Sequence, residues 1–300
     1  MTGPSAGCGR LSGMERVGDR IGVVGSGIMG AGIAEVAARS GCDVVVREVT
    51  QELAEAGRDR IAASLERAVV RGKLTAADRD ATLDRIRATT SLDDLADRDL
   101  VIEAIVEDEP TKTALYRQLS GLVRPDCVLA SNTSSIPISR LAAAAQGPER
   151  VLGMHFFNPV PVLPLVELVP SLRTGQSTVD TAQAFAEDRL GKKTVLCKDR
   201  AGFVVNALLV PYLLAAIRMV EAGVATAEDV DTAMVAGANH PMGPLALTDL
   251  IGLDTTAAVA VSMYEEFKEP LYAAPPLLLR MVEAGLLGRK SGRGFFSYGS

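Results

Sequence analysis

The chain has 300 residues, a length that fits about two domains. Its 31 Lys and Arg against 37 Asp and Glu give a net charge of −6, which argues against a nucleic-acid partner because such proteins carry a basic patch or stripe. Hydrophobic residues make up 48% of the chain, enough for a large core, which excludes disorder throughout. No apolar run reaches the roughly 18 residues typical of a membrane span, so we expect no membrane partner.

The N-terminal residues and the cysteines favour a cytoplasmic protein. Residues 1–16 are rich in glycine and contain no apolar core of a secretion signal, so we expect a flexible tail there. The cysteines are Cys8, Cys42, Cys127 and Cys197, and none of their spacings matches a zinc site. We therefore expect free thiols in a reducing compartment and no metal.

Strand and helix patterns alternate at the start of the chain. Residues 20–24 form an apolar run, residues 28–40 are helical in pattern and closed by Gly41, and residues 43–48 form a second apolar run. This unit has the size of a βαβ crossover. Residues 51–87 space their apolar side chains at three and four positions, which predicts two helices broken near Gly72.

The later patterns divide at about residue 200. Further strands are predicted over residues 100–106, 128–131, 151–156, 165–169 and 194–197. Helical segments separate several of them, as in a mostly parallel sheet covered on both faces. Helices are predicted over residues 202–222 with a kink at Pro211, from Thr226 onward, and over residues 244–267 and 276–284. The sequence thus predicts an α/β domain over residues 17–200 and an all-helical domain over residues 201–300.

A glycine motif typical of dinucleotide-binding proteins follows the first predicted strand. Gly25, Gly27 and Gly30 fit GxGxxG, and Ile28 and Met29 occupy its variable positions. The first glycine permits a tight turn, the second lets a pyrophosphate approach the backbone, and the third lets the helix pack closely on the strand. The N-terminus of that helix then holds the phosphates. This context predicts a Rossmann-type domain.

Glu48 stands at the end of the second predicted strand, 23 residues after Gly25. A carboxylate there accepts hydrogen bonds from the ribose hydroxyls of the adenosine and repels a 2′-phosphate, which favours NAD. Arg47, next to it, leaves NADP open because an arginine near this position accommodates that phosphate.

Two polar residues stand in neighbouring apolar strands, one on each side of a proline-rich stretch. His155 is near the end of the first, and Glu167 lies inside LVELV in the second. If the chain reverses near Pro161, the two face each other. A buried Glu needs a partner, and a His–Glu pair also suits removal of a proton from an alcohol during hydride transfer. A purely structural ion pair remains the alternative.

Three further polar features are candidates for substrate contacts. Residues 131–135 (SNTSS) follow an apolar strand, so they either bind a ligand at the sheet edge or cap the helix predicted over residues 137–145. Asn206 stands in an apolar helix, where its amide either bridges to a neighbouring helix or donates to a substrate carbonyl. His240 lies in a proline-containing turn with no comparable carboxylate, and we interpret it as structural.

Together these segments resemble the 3-hydroxyacyl-CoA dehydrogenase family, and within it the stand-alone bacterial enzymes that act on 3-hydroxybutyryl-CoA. The resemblance runs from about Arg16 to the C-terminus and is carried by GSGIMG, IEAIVED, ASNTSS, HFFNPVPVLPLVELV, GFVVNALLVPYL, HPMGPL and LGRKSGRGFF. It implies a Rossmann domain followed by a helical domain that dimerises.

The resemblance also implies roles for individual residues. His155 is the catalytic acid/base with Glu167 as its partner, Ser134 binds the substrate oxygen, and Asn206 lies near the thioester. The implied cofactor contacts, in addition to the glycine motif, are Glu48, Glu107, Lys112, Ser134, Asn158 and Lys290. Ser64 is an implied coenzyme A contact, followed by Arg71 or Lys73 where some relatives carry a lysine.

The implied reaction is the reversible oxidation of a short-chain 3-hydroxyacyl-CoA to the 3-oxoacyl-CoA with NAD, in fatty-acid or butanoate metabolism, by a homodimer. An NADP-preferring acetoacetyl-CoA reductase and another β-hydroxy-acid dehydrogenase are alternatives. The latter enzymes usually carry a lysine base in the helical domain, and residues 202–217 contain none. A noncatalytic dinucleotide-binding protein is disfavoured because His155 and Glu167 are both present.

Overall fold

The first two thirds of the chain are organised around one eight-stranded sheet. The computed structural model describes residues 18–299. The strands are β1 (Arg20–Val24), β2 (Asp43–Arg47), β3 (Ile86–Thr89), β4 (Leu100–Glu103), β5 (Val128–Ser131), β6 (Val151–Phe156), β7 (Leu165–Pro170) and β8 (Lys193–Leu196). Their order is β3-β2-β1-β4-β5-β6-β7-β8, and all neighbours are parallel except β6 and β7. The predicted fold class is confirmed.

Helices cover the sheet and then form the rest of the chain. Those between strands are α1 (Ile28–Arg39), α2 (Gln51–Val70), α3 (Ala76–Leu83), α4 (Glu109–Leu122), α5 (Ile138–Ala144) and α6 (Gln176–Ala184). Those after the last strand are α7 (Val205–Glu221), α8 (Ala227–Ala238), α9 (Pro244–Ile251), α10 (Leu253–Phe267) and α11 (Pro276–Glu283). The predicted tail at residues 1–16, with Cys8, lies outside the described residues.

Apolar side chains pack on both faces of the sheet. On one face Val44 and Val46 join Ile33 of α1 in a buried cluster, and on the other Val45 joins Leu119 of α4. Alternate residues of one strand therefore point into two separate cores, as expected for a sheet covered by helices on both sides. The helices after residue 200 enclose a third cluster of their own.

One predicted helix is too long because the sequence pattern hides a strand. Helix α3 ends at Leu83, and residues 86–89, two of which were assigned to a helix, form β3 parallel to β2. Only Ile86 of this edge strand is buried, so it lacks the continuous apolar run of a central strand. The hydrogen bonds to β2 therefore specify this strand, because its own sequence pattern does not.

Two predicted helices in the second part begin or break at residues with a left-handed backbone. Gly202 and Phe203 have φ values of 81° and 48°, so α7 begins at Val205 and not at residue 202. The helix predicted over residues 244–267 is two helices, because Gly252 has a φ of 104° and turns the chain. Within residues 18–299 no single helix is long and apolar enough to cross a membrane; α9 and α10 reach that length and composition only as a pair bent by 95°.

Candidate active site

A pocket of about 980 Å³ opens at the carboxyl ends of the central strands. It is lined by residues 25–29 after β1, residues 47–49 at the end of β2 and residues 104–106 after β4. The strand order reverses between β1 and β4, and ligands of open α/β sheets bind at such a point.

The three glycines of the motif are needed for different reasons. Gly25 has a φ of 95°, and a Cβ there would lie 2.6 Å from the carbonyl oxygen of Ala104. A Cβ on Gly30 would lie 1.9 Å from the carbonyl oxygen of Gly25. A Cβ on Gly27 would meet no atom within 4 Å, so internal packing does not require glycine at that position. The open space beside Gly27 fits a pyrophosphate.

The N-terminus of α1 is also suited to bind a phosphate. Its N-cap, Gly27, has no side chain to accept a hydrogen bond from the first-turn amides, and no acidic residue stands in that turn. The free N–H groups and the positive end of the helix dipole therefore remain available to an anion. The residues present fit the dinucleotide predicted from the sequence.

Glu48 lies in the pocket wall but is also bonded within the protein. Its Oε1 accepts hydrogen bonds from the backbone N–H of Ser26 at 2.5 Å and from the Ser26 hydroxyl at 3.0 Å. Arg47 and Arg60 line the same wall, and Arg60 donates to the carbonyl oxygen of Ser26 at 2.5 Å. Arg60, a second cation beside the predicted ribose site, was not identified from the sequence because it stands on α2, twelve residues beyond Glu48.

His155 and Glu167 are directly opposite each other in the antiparallel pair β6–β7, which confirms that they face each other. His155 Nδ1 and Glu167 Oε2 are 2.7 Å apart, and both side chains are buried. An ionised carboxylate only accepts hydrogen bonds, so Nδ1 carries the proton and Nε2 of the neutral ring has a free lone pair. This pair, the His155–Glu167 dyad, can take up a proton at Nε2.

The second oxygen of Glu167 binds the first helix after the sheet. Glu167 Oε1 accepts hydrogen bonds from the backbone N–H groups of Val204 and Val205, at 3.0 and 2.8 Å. Glu167 is therefore an N-terminal cap for α7 from a distant strand, and the helix dipole favours its negative charge. A buried carboxylate with three donors is far less costly than an unpaired one.

Two aromatic rings hold the imidazole from its sides. Phe157 and Phe203 lie edge-on to His155, with ring centroids at 4.6 and 5.4 Å. Phe203 adopts a φ of 48°, an unusual backbone conformation for a bulky residue. The left-handed turn at Phe203 precedes the two amides that bind Glu167, so one local geometry serves both the ring contact and the cap.

The loop after β5 lies beside the dyad. Asn132 Oδ1 accepts a hydrogen bond from the backbone N–H of Phe156, the residue after His155, at 2.9 Å. None of residues 131–135 caps α5, the helix considered in the sequence analysis. Asp199 caps it instead, accepting from the N–H groups of Ile138 and Ser139 at 2.8 and 2.7 Å.

Glu107 anchors Ser134 on this loop. Its Oε1 accepts hydrogen bonds from the backbone N–H groups of Ser134 and Ser135, at 3.0 and 3.1 Å, and its Oε2 lies 3.0 Å from Lys112 Nζ. Burial disfavours the charged form, but Lys112 and the hydroxyls of Thr133 and Ser135 outweigh it, so the pKa of Glu107 lies below its ordinary value. Lys112 is itself buried against Glu103 at 2.7 Å.

The remaining predicted residues lie in several places. Asn206 is the second residue of α7, next to the amides that bind Glu167, and Asn158 is exposed just after Phe157. Lys290 forms an ion pair with Asp254 of α10 at 2.6 Å. Among the described residues this is its one ion pair, and both partners lie in the segment after residue 200. His240 lies 3.1 Å from the Tyr212 hydroxyl, a contact suited to a structural role.

The predicted coenzyme A residues lie further along the α2–α3 hairpin. Ser64 is half-buried beside Glu35 of α1, and Arg71 and Lys73 are exposed just beyond the end of α2. None of these three side chains lines the pocket at the carboxyl ends of the central strands.

Glu103 and the particular partner of Asn132 were not predicted from the sequence. Glu103 is a charged residue inside an apolar run, the same signal that singled out Glu167. Asn132 belongs to the segment that was singled out as a whole, but only the pairing of β5 with β6 shows that its partner is the His155 strand.

Comparison with known proteins covers the described chain from end to end. The family model of the 3-hydroxyacyl-CoA dehydrogenase NAD binding domain matches residues 20–200, and that of the C-terminal domain of the same family matches residues 202–298.

Individual relatives agree with these matches. A 3-hydroxybutyryl-CoA dehydrogenase of Mycobacterium tuberculosis is 63% identical over 280 residues, covering 93% of this chain and 98% of the relative. The crystal structure of M. tuberculosis FadB2 has a TM-score of 0.94 at 62% identity, covering 95% of this chain and all of the other. That of an (S)-3-hydroxybutyryl-CoA dehydrogenase from Ralstonia eutropha has a TM-score of 0.90 at 44% identity, covering 94% and 99%.

Proposed function

The chain belongs to the 3-hydroxyacyl-CoA dehydrogenase family, and from this premise we propose that it interconverts a short-chain 3-hydroxyacyl-CoA and the 3-oxoacyl-CoA with NAD. The substrate pair is 3-hydroxybutanoyl-CoA and acetoacetyl-CoA, by similarity to relatives named for that substrate. The observation that carries the proposal is the buried His155–Glu167 dyad at the same sheet edge as the dinucleotide pocket.

In the oxidation, His155 Nε2 takes up the proton of the substrate hydroxyl while C3 loses a hydride. NAD, when bound, supplies the hydride acceptor. Glu167 fixes the imidazole with Nδ1–H toward its own oxygen and stabilises the imidazolium that forms. In the reverse direction the imidazolium returns the proton to the oxygen of the 3-oxoacyl group.

We assign substrate binding to two side chains near the dyad and to the α2–α3 hairpin. Ser134, on the loop held by Glu107, binds the substrate oxygen, and Asn206, in the first turn of α7, positions the thioester. Ser64 with Arg71 or Lys73 contacts coenzyme A. Asn158 and Lys290 remain cofactor contacts by resemblance.

The cofactor preference is assigned to NAD over NADP. Glu48 lies in the wall of the pocket, and its carboxylate accepts a hydrogen bond from the Ser26 backbone. Its negative charge would repel the 2′-phosphate of NADP. Arg47 and Arg60 favour NADP, because two guanidinium groups in the same pocket wall are suited to bind a 2′-phosphate.

A homodimer formed through residues beyond 200 is part of the proposal. Along the outer face of α7, Val204, Leu208 and Ala215 are exposed, and Leu208 retains 73% of its accessible surface. An apolar face of this kind is typical of an interface. Light scattering at micromolar concentration tests it, and a monomer would contradict it. We also place the enzyme in the cytoplasm, where free Cys42, Cys127 and Cys197 stay reduced.

Initial rates test the reaction and its specificity together. The substrates are acetoacetyl-CoA and a sixteen-carbon 3-oxoacyl-CoA, each with NADH and with NADPH, and free 3-hydroxybutyrate with NAD as a control. We expect the highest kcat/KM with acetoacetyl-CoA and NADH. No turnover of either thioester would overturn the proposal, and turnover of the free acid alone would favour a β-hydroxy-acid dehydrogenase. A higher kcat/KM with NADPH would show that the arginines dominate.

A further inference from the structure

Two oppositely charged side chains are buried beside the site, and neither takes part in the proposed proton transfer. Glu103, the last residue of β4, is 0% exposed, and Lys112, in α4, is 1% exposed. Lys112 Nζ lies between two carboxylates, 2.7 Å from Glu103 and 3.0 Å from Glu107. Charges without water are costly, so this arrangement calls for a function other than stability.

The pair is part of a closed ring of hydrogen bonds and one ion pair, here called the Glu103 ring. Lys112 donates a hydrogen bond to Glu103 Oε1 and forms an ion pair with Glu107 Oε2, while Glu103 Oε2 accepts from the Ser131 hydroxyl at 2.7 Å. The Ser131 hydroxyl oxygen accepts from the backbone N–H of Thr133 at 3.2 Å, and the Thr133 hydroxyl donates to Glu107 Oε1 at 2.5 Å. The ring thus joins the ends of β4 and β5 to the start of α4.

The loop that carries Ser134 is held by two members of this ring, Glu107 and Thr133, whose hydroxyl accepts from the backbone N–H of Ser135 at 3.3 Å. Glu107 Oε1 accepts the backbone N–H groups of Ser134 and Ser135, so the position of that oxygen sets the position of both residues. The carbonyl oxygen of Ser135 is held from the other side by the Ser262 hydroxyl of α10, at 3.1 Å. The Glu107 carboxylate is in turn fixed by Lys112, and Lys112 by Glu103.

We propose that Glu103 is a positioning residue for the substrate oxygen, acting through Lys112, Ser131 and Glu107 on Ser134. The inference rests on the proposed function in one respect, the role of Ser134 in binding that oxygen. Without the charge of Glu103, Lys112 keeps only one carboxylate partner, Glu107 turns with it, and the Ser134 loop loses its fixed place. Small displacements of positioning groups reduce the rate of reaction steeply.

A double-mutant cycle tests whether Glu103 acts through Ser134. Glu103→Gln keeps the shape of the side chain and a hydrogen bond to Ser131 but removes the charge opposite Lys112. We expect kcat/KM for acetoacetyl-CoA to fall about tenfold in the wild-type background and less than about twofold in a Ser134→Ala background, because residues acting in one network are not additive. Equal losses in the two backgrounds would overturn the inference.

Amide exchange gives a second readout that needs neither cofactor nor substrate. In the free protein, Glu103→Gln should speed hydrogen exchange in the peptide containing the amides of Ser134 and Ser135. Unchanged protection there would also overturn the inference. Ser131→Ala, a small change that removes one link of the Glu103 ring, should act in the same direction more weakly, and it decides the question if Glu103→Gln does not fold.

Arg98→Met is the matched control for lost stability. Arg98 is a charged side chain only 6% exposed, paired with Asp43 at 2.6 Å near the opposite ends of the strands. It should lower the melting temperature while exchange at Ser134 and kcat/KM stay unchanged. If wild-type protein does not reduce acetoacetyl-CoA, the proposed function fails, and the exchange measurement alone then decides whether Glu103 holds the loop.

Discussion

Strand β4 has a carboxylate at each end, and the two are surrounded differently. Asp99, immediately before the strand, pairs with Arg20 at 3.1 Å and Arg124 at 2.6 Å, and both arginine side chains are 39% exposed. Glu103, the last residue of the strand, pairs with Lys112 where neither side chain reaches water. Pairs of the first kind contribute little to stability, and pairs of the second kind often contribute less than apolar residues of equal volume would. Under the proposed roles, charge at the carboxyl end of the sheet serves chemistry and positioning, whereas the pairs of Asp99 at the amino end contribute only modestly to the stability of the fold.

The largest difference between the two ends of the sheet is expected at His155, near the carboxyl end of β6. His155→Gln removes the group that accepts the substrate proton and should lower kcat by about 10²–10⁴-fold. NADH affinity and the melting temperature should stay close to those of the wild type. The measurements are kcat per active site, NADH fluorescence titration and thermal melting. Normal turnover by folded His155→Gln would show that His155 is not the group that accepts the substrate proton.

Glu167→Gln should give the next largest effect, on the order of 10²-fold in kcat. The amide oxygen of Gln must accept the N–H groups of Val204 and Val205, so its NH2 group faces His155 Nδ1 and donates to it. Nδ1 then has to be unprotonated, the proton moves to Nε2, and the base is on the wrong nitrogen. A variant that melts at a lower temperature but keeps its kcat would show that the dyad is only structural.

How much of this site follows from the sequence depends on the separation of its parts along the chain. The facing of His155 and Glu167 was predictable because a connection of eight residues with several prolines, residues 157–164, joins the two strands, and a reversal in its middle fixes the register. The glycine motif was predictable because its whole βαβ unit is continuous in sequence. In both cases local geometry determines which residues meet.

The Glu103 ring was not predictable on these grounds. Its members come from the end of β4, the start of α4 and the end of β5, and they meet only once β4 and β5 pair. The resemblance implies that Lys112 contacts the cofactor, but it gave no sign that the ammonium also lies between two carboxylates of the protein. Strand β3 was missed for a related reason, since an edge strand with one buried residue is specified by its neighbour more than by its own pattern.

At the amino end of the sheet the expected effects are on stability alone. Arg98→Met leaves the carboxylates of Asp43 and Asp97, both more than half exposed, to water. We expect a loss of about 1 kcal/mol in the free energy of unfolding and no change in kcat. Thermal melting and steady-state rates measured on the same preparation provide the check. A decrease of kcat beyond twofold would mean that the two ends of the sheet are coupled.

The smallest expected effect depends on pH. Burial raises the pKa of Asp99, but hydrogen bonds from Arg20 and Arg124 outweigh it, so the pKa in the folded protein lies below its ordinary value of about 4. A depressed pKa stabilises the fold above the ordinary value, and this stabilisation is lost as the pH falls through the folded value. Asp99→Asn should therefore lower the melting temperature at pH 7, and the difference from wild type should narrow below about pH 4. If wild type and Asp99→Asn differ in melting temperature by the same amount at pH 7 and below about pH 4, the depressed pKa of Asp99 is contradicted.

The attachment of Glu167 to α7 has a consequence for how such proteins can diversify. Its partners there are the backbone N–H groups of residues 204 and 205, which every amino acid except proline provides. The side chains at these two positions can therefore change without breaking the attachment, while the His155–Glu167 dyad stays assembled. A chimera of two relatives joined near residue 200 would keep these two hydrogen bonds as long as neither position becomes proline.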